Sequence, residues 1–237
     1  MTEKTRLSTE FKVHIRRSES AAPNLFFVPF EQPILVLDLL HWIQGNGDAN
    51  LAYSYSCRSA RCGTCSVLVN RRPVLACQEL IKDCNGEVTI EPLKGLPIIR
   101  DLVVDMQPFL SHWRKVKPFL GSDTTEQDDP ALIPRQSPER RVIDAARGCI
   151  KCGICNSICG MSGNDRSFLG PAALNHAVAL IADSRDRATK ARLGSVLSDD
   201  GVDGCHYHGS CGRVCPRSLD PAAAITRLRR WRLSSSP

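Results

Sequence analysis

No stretch of this 237-residue chain stays apolar long enough to cross a bilayer. The most apolar run, residues 33–43, is broken by Asp38 and His41 and falls far short of the ~20 residues that span the hydrocarbon core, so any membrane contact is expected to be peripheral. The opening segment, MTEKTRLSTEFKVHIRR, has no apolar stretch of the kind a secretory signal needs, which predicts the reducing cytosolic side and free thiols rather than disulfides. A dinucleotide loop is missing too: Gly45-Asn46-Gly47 lacks the third glycine and the strand-to-helix setting that cradle a pyrophosphate. No serine, histidine and acid set stands out as a nucleophilic constellation. These absences set aside a membrane-spanning protein, a disulfide-stapled secreted one, a dinucleotide-binding one and a triad hydrolase.

What is present in excess is cysteine. Twelve residues of 237, about 5%, is several times ordinary usage, and in a reducing compartment CxxC spacings favour metal. The remaining composition, 42% hydrophobic and 24% charged, is that of a globular chain able to bury a core, and the length suits one large domain or two small ones. The net charge of +6 is uneven: residues 1–105 carry 12 basic and 12 acidic side chains, and residues 106–237 carry 19 and 13. Residues 213–232 alone hold six arginines against Asp220. Such a tail suits nucleic acid, anionic lipid, an acidic partner or plain solvent.

The two halves also differ in pattern. In the first, residues 11–15, 25–30, 66–69 and 87–90 read as strands and residues 34–43 as a helix ending before Gln44-Gly45-Asn46-Gly47, with a turn at residues 70–73. That is a small mixed sheet with one helix. From residue 99 to 116 the spacing is amphipathic and helical, and residues 117–138, with four prolines, read as a linker. Helices are then expected at residues 138–147, 171–183, 186–197 and 221–231, three of them with proline at or near the first turn. The overall class is α+β, with one domain over residues 1–105 and an all-α domain over residues 106–237.

Cys57, Cys62 and Cys65 form CxxxxCxxC and Cys77 follows, which is the plant-type spacing for a 2Fe-2S cluster. The small residues Ser59, Ala60, Gly63, Thr64 and Ser66 let backbone N–H groups approach sulfur, and Arg58 and Arg61 can offset cluster charge. A structural zinc site would use the same thiolates but pairs two close CxxC knuckles. Further on, Cys149, Cys152, Cys155 and Cys159 form CxxCxxCxxxC, and Cys205, Cys211 and Cys215 form a second run ending in Cys-Pro. In the bacterial ferredoxin rule the fourth cysteine of each run ligates the other cluster. Applied here, Cys149, Cys152, Cys155 and Cys215 hold a 4Fe-4S cluster, and Cys159, Cys205 and Cys211 hold a second one. The missing corner of the latter falls at His208, so a three-thiolate 3Fe-4S cluster is the economical reading, and a second 4Fe-4S cluster with His208 as extra ligand is the alternative. Residues 149–159 and 205–215 must then pack together, and apo protein should fold poorly. Cys84 belongs to no motif and is expected to be a small, semi-buried side chain.

The stretches CRSARCGTCSVLVNRRPVLAC (57–77), PIIRDLVVDM (97–106), CIKCGICNSIC (149–159), FLGPAALNHAVALIADSRD (168–186) and CHYHGSCGRVCPRSLDPAAAI (205–225) resemble the iron-sulfur subunit of the succinate dehydrogenase and fumarate reductase family. The resemblance runs through nearly the whole chain. It implies a plant-type, β-grasp 2Fe-2S ferredoxin domain followed by a bacterial-ferredoxin-like helical domain. It also implies a chain wired between a FAD-containing flavoprotein subunit, which would carry the dicarboxylate chemistry, and an integral membrane anchor that reacts with quinone. The expected location is peripheral, on the cytoplasmic side of the membrane. Cys65 and the DPAAAI ending lean toward the fumarate reductase side. By the same resemblance His206 and Arg229 lie in the quinone vicinity, against a plain second-layer hydrogen bond and a solvated helix face.

Two departures from the family pattern fall beside the expected quinone end. Gly160 replaces the proline that usually follows the Cys159 position, with no tryptophan at Met161-Ser162, and His208 stands where the best-known members have Val or Ile. A related flavoprotein dehydrogenase with another substrate or a soluble acceptor is the alternative. Nucleic acid is not an expected partner, because eleven cysteines fit iron-sulfur templates and three clusters at about −2 each nearly cancel the basic excess.

Overall fold

In the computed structural model the described residues are 10–18, 22–29, 33–81, 86–123, 129, 131–164 and 167–234, and they divide into two compact units. The first comprises the chain up to Leu93 and Pro97–Asp105; the second takes Lys94–Leu96 and everything from Met106. Cys84 lies outside the described residues.

The first unit is a mixed sheet with one helix. Its strands are β1 (Glu10–Ile15), β2 (Asn24–Pro29), β4 (Ser66–Val69), β5 (Arg72–Leu75) and β7 (Glu87–Glu91), in the order β2-β1-β7-β4-β5. β1 and β7 run parallel and the other pairs antiparallel. Phe11, Val13 and Ile15 on β1 and Val88 and Ile90 on β7 are buried while their neighbours are not, the period-2 alternation of a sheet with one face in the core. Against it lies α1 (Val36–Asn46), burying Val36, Leu37, Leu39, Leu40 and Ile43. No side chain caps α1; instead the Val36 and Leu37 N–H groups donate to the Glu79 and Ala76 carbonyls at 2.9 Å. Its first turn is thereby tied to the turn that carries Cys77. Short pairings of β3 (Ile34–Leu35) with β6 (Leu80–Ile81) and of β8 (Ile98–Arg100) with β9 (Val103–Val104) complete the unit.

Three expectations change here. The hairpin turn is only Asn70-Arg71, at φ 47° and 65°, the left-handed pair a two-residue loop requires, and Arg72 and Pro73 belong to β5. Pro73 is tolerated because β5 is an edge strand. The first helix runs on through Gln44, Gly45 and Asn46, whose side-chain amide donates to the Trp42 carbonyl at 3.0 Å. The helix expected from residue 99 begins only at Gln107: Asp101, at φ 50°, makes the β8–β9 turn, and its carboxylate accepts the Ala52 N–H at 2.8 Å.

The second unit contains α2 (Gln107–Lys115), α3 (Pro138–Arg147), α4 (Ile154–Ser157), α5 (Gly160–Asn164), α6 (Gly170–Ile181), α7 (Thr189–Val196), a 3-10 turn (Val202–Gly204), α8 (Ser210–Arg213) and α9 (Pro221–Ser234). Proline opens α3 and α9, where the missing N–H costs nothing, and Ser137 and Asp220 accept the Arg140 and Ala223 N–H groups at 3.0 Å. The α6 helix is buried on almost every side and packs against both α3 and α9 around Leu174, Ala177, Val178, Ile225 and Leu228. The first stretch of the expected linker is pinned. The wholly buried Arg192 donates to the carbonyls of Val116 (3.0 Å), Lys117 (3.1 Å) and Phe119 (2.9 Å) and pairs with Asp186. Among the described residues no helix is long and apolar enough to cross a membrane.

Gly201 shows how tightly the turn before Cys205 is set. A Cβ there would lie 2.1 Å from the Val196 carbonyl oxygen. Gly201→Ala is expected to cost about 1–3 kcal/mol through overpacking, read as a lower denaturation midpoint; an unchanged midpoint contradicts this packing.

Candidate functional site

Eleven of the twelve cysteines are described, and all eleven are free thiols that fall into three groups.

The first group sits on the loop between α1 and β4 and on the turn after β5. Cys57 Sγ accepts backbone N–H groups from Ser59 (3.4 Å), Arg61 (3.3 Å) and Cys62 (3.3 Å). This convergence of donors holds the Cys57 thiol down to about 6, a thiolate at neutral pH. The loop reaches it through left-handed turns at Arg58 (φ 52°), Ala60 (φ 55°) and Gly63 (φ 73°). Cys65 is buried, which pushes its thiol up to about 12, and it interacts with Cys77 and Cys62. All four predicted sulfurs are therefore brought to one place, with amide donors on one and burial on another. A group that supplies positive charge and accepts N–H donation at its sulfurs fits this set. Arg58 is engaged nearby: its guanidinium meets His41 Nε2 at 3.0 Å and lies 5.2 Å from the Tyr55 ring centre.

The second group lines a partly open cavity in the helical unit, walled by Cys149, Cys152, Cys155 and Cys215 with Ala172, Asn175 and Pro221. Burial first, then the neighbouring thiols, raise Cys149, push Cys152 up to about 11 and hold Cys155 well above its ordinary range. Three thiols that resist ionisation alone, packed with Cys215 round one cavity, fit a centre whose metal charge stabilises them as thiolates.

The third group lines a separate, partly open cavity: Cys159, Cys205 and Cys211, with His206, Tyr207, His208, Gly160 and Met161. Burial pushes Cys211 up to about 11, with Cys159 and Cys205 adding to the rise. Cys215 thus sits with the first run and Cys159 with the second. Cys155 and Cys211 share one apolar cluster with Phe109, Trp113 and Ala172, so the two cavities have a common apolar wall.

His206 and His208 both line the third cavity and are exposed, their ring centres 6.4 Å apart. Arg229 is used differently from a free cation on a helix face. Its guanidinium donates to the carbonyls of Val202 and, at 2.9 Å, Cys205, and lies 4.2 Å from the Tyr207 ring centre. Neither Tyr207 nor this clamp was legible in the sequence; the one signal was that Tyr207 stands at the same offset from Cys205 as Lys151 from Cys149. Arg229→Ala is expected to loosen the Cys205 loop by about 1.5–3 kcal/mol, the worth of charged hydrogen bonds. Iron should be lost from the third group selectively, while the visible spectrum of the first stays unchanged.

Comparison with known proteins agrees with this layout. A 2Fe-2S iron-sulfur cluster binding domain matches residues 11–111, and a 4Fe-4S dicluster domain matches residues 145–219. The fumarate reductase iron-sulfur subunit of Escherichia coli O6:H1 is 36% identical over 228 residues, covering 95% of this chain and 92% of that one. The succinate dehydrogenase iron-sulfur subunit of Coxiella burnetii is 40% identical over 176 residues, covering 73% and 74%. In three dimensions a chain of the Mycobacterium smegmatis Sdh1 complex in the apo form aligns over 94% of this chain and 95% of its own, with a TM-score of 0.81 at 22% identity, which speaks for the fold. The chain belongs to the family of fumarate reductase and succinate dehydrogenase iron-sulfur subunits.

Proposed function

We propose that this chain is the electron-transfer subunit of a membrane-associated succinate dehydrogenase or fumarate reductase, relaying electrons between a FAD-containing flavoprotein subunit and quinone at an integral membrane anchor. The active site for the dicarboxylate is on the flavoprotein. The chain sits peripherally on the cytoplasmic face of the membrane, with residues 1–105 forming the 2Fe-2S domain and residues 106–237 the domain of the other two clusters. Cys57, Cys62, Cys65 and Cys77 hold the 2Fe-2S cluster; Cys149, Cys152, Cys155 and Cys215 hold the 4Fe-4S cluster; Cys159, Cys205 and Cys211 hold the third. With three cysteines at the ferredoxin spacing and no fourth, this third centre is read as a 3Fe-4S cluster. Each cluster, when bound, takes up and gives back single electrons.

The observation that carries the reading is the sorting of cysteines from two runs, 149–159 and 205–215, into two neighbouring cavities with one member exchanged. The chain's own work is to hold and space these centres. Amide donors fix the first, and an apolar wall of Cys155, Ala172 and Cys211 keeps water from between the second and third. His206, exposed on the third cavity beside the Arg229 clamp, is placed for the quinone side.

Purification through a tag on this chain should bring down a flavin-bearing subunit and an anchor that needs detergent, and the complex should reduce quinone with succinate. A complex that purifies without detergent and reduces no quinone with succinate rejects the reading.

A further inference from the structure

Lys151 stands between two of the second group's cysteines, Cys149 and Cys152, in the left-handed region at φ 56°. Glycine enters that region freely and lysine seldom does. The turn aims the Lys151 N–H at the Cys149 sulfur, which accepts it. The residue is exposed, yet its side chain is held: Nζ lies over the Trp113 ring, 5.8 Å from its centre, within the range at which an ammonium is drawn to an aromatic face.

The ring beneath it is fixed by packing. Trp113 is buried on α2 in the apolar cluster that includes Phe109, Cys155 and Ala172, and Cys149 lies against the same cluster. Its ring also stacks on that of His176 on α6, with centres 4.4 Å apart and planes at 22°. An imidazolium there would repel the ammonium. Burial first, then the charges of Lys151 and Arg192, hold His176 down to about 4, so this ring is neutral at neutral pH. The Lys151 charge also reaches the cysteine: with the N–H bond it opposes the burial that raises the Cys149 thiol. Arg217 borders the same cavity, but among the described residues no ring, carboxylate or carbonyl holds its guanidinium in place.

We propose that Lys151, held over Trp113, is the counter-charge of the second cluster and raises its reduction potential. Reduction adds one negative charge at that centre, and a cation fixed beside it stabilises the reduced form more than the oxidised one. One electron arrives from a neighbouring centre, which is thereby oxidised; Lys151 keeps its proton, and no bond forms or breaks. Lys151 thus sets how readily the second centre accepts an electron within the relay, without binding iron itself. The inference rests on the reading of Cys149, Cys152, Cys155 and Cys215 as the ligands of a 4Fe-4S cluster.

The test is a redox titration of the purified complex, with the reduced second cluster read by EPR and the iron content measured in parallel. Lys151→Met should lower the midpoint potential of the second cluster and leave that of the first unchanged. Lys151→Glu should lower it about twice as far, because the charge changes by two rather than one. Lys151→Arg should stay close to the wild type. Since Lys151 is exposed, added salt should lower the wild-type potential toward that of Lys151→Met and move the Met variant less. Equal potentials in the wild type, Met and Glu forms overturn the proposal. An equal drop in the Met, Glu and Arg forms also overturns it, because side-chain shape rather than charge would then govern the loop. Where the Met and Glu variants lose the cluster, the wild-type salt response decides: a fall supports the proposal and a flat response overturns it. Failure of the underlying assignment looks different: the wild type itself then holds no iron in the second group and shows no reduced 4Fe-4S signal.

Discussion

Cys215→Ser is expected to strip the second cluster from the chain and to unfold much of the helical unit, while the 2Fe-2S spectrum survives. Cys215 belongs to the second run, yet it walls the cavity of the first with Cys149, Cys152 and Cys155. In the proposed arrangement its bond to the cluster would be one of two crossings that tie residues 149–159 to residues 205–215, the other being that of Cys159. Without metal, Cys152 and Cys155 are buried thiols facing an unfilled pocket, and the apolar cluster of Phe109, Trp113, Ala172 and Cys211 loses one wall. Metal binding energy in such sites is folding energy, on the order of 10 kcal/mol in the best-measured zinc cases. The helical unit should therefore lose its cooperative unfolding transition and become sensitive to limited proteolysis. Cys57→Ser, by contrast, should bleach the first cluster and leave the helical unit intact. Retention of full iron content by Cys215→Ser would contradict the crossed arrangement.

The second large effect lies away from any metal. Arg192→Ala should cost about 3–5 kcal/mol, because it leaves the buried Asp186 carboxylate unpaired together with the carbonyls of Val116, Lys117 and Phe119. In a chain of 237 residues that corresponds to a fall of roughly 6–20 °C in Tm. Arg192→Lys should restore little, since one ammonium cannot span a carboxylate and three carbonyls. Burial works to raise Asp186, but the Arg192 guanidinium, the Gly121 N–H at 2.8 Å and the Thr189 hydroxyl at 3.0 Å prevail and hold it below the usual 3.8. A depressed carboxyl contributes stability that is full above the unfolded pKa and is lost as pH falls through the folded one. Wild type should lose this contribution only below about pH 4. The difference in denaturation midpoint between wild type and Arg192→Ala should therefore shrink on acidification; a pH-independent difference would count against the pair.

The sequence was most readable where a local rule governed the outcome. The helix at residues 138–147 coincides with α3, and those at residues 171–183 and 221–231 lie within a few residues of α6 and α9, because proline, a capping Ser137 or Asp220 and an apolar face all agree. The strands at residues 11–15, 66–69 and 87–90 follow from alternation and β-branched residues. Residues 98–104 misled for a physical reason: Ile98, Ile99, Leu102, Val103 and Val104 fit either period, and the outcome turned on Asp101 bonding the backbone of Ala52, far away in sequence. The short helices α4, α5 and α8 carry no apolar period at all. The grouping of cysteines was legible because spacing encodes it. The Arg229 clamp and the Arg192 staple were not, since each joins a side chain to carbonyls 24 to 76 residues away.

The central claim is that this chain passes electrons between a succinate-linked flavoprotein and quinone. Rapid freeze-quench EPR of the purified complex after mixing with succinate tests it most directly. Cluster signals of this chain should change on the timescale of turnover and return to the oxidised pattern when quinone is added. Clusters that dithionite reduces but succinate leaves untouched, or an iron-free and EPR-silent chain, would contradict it.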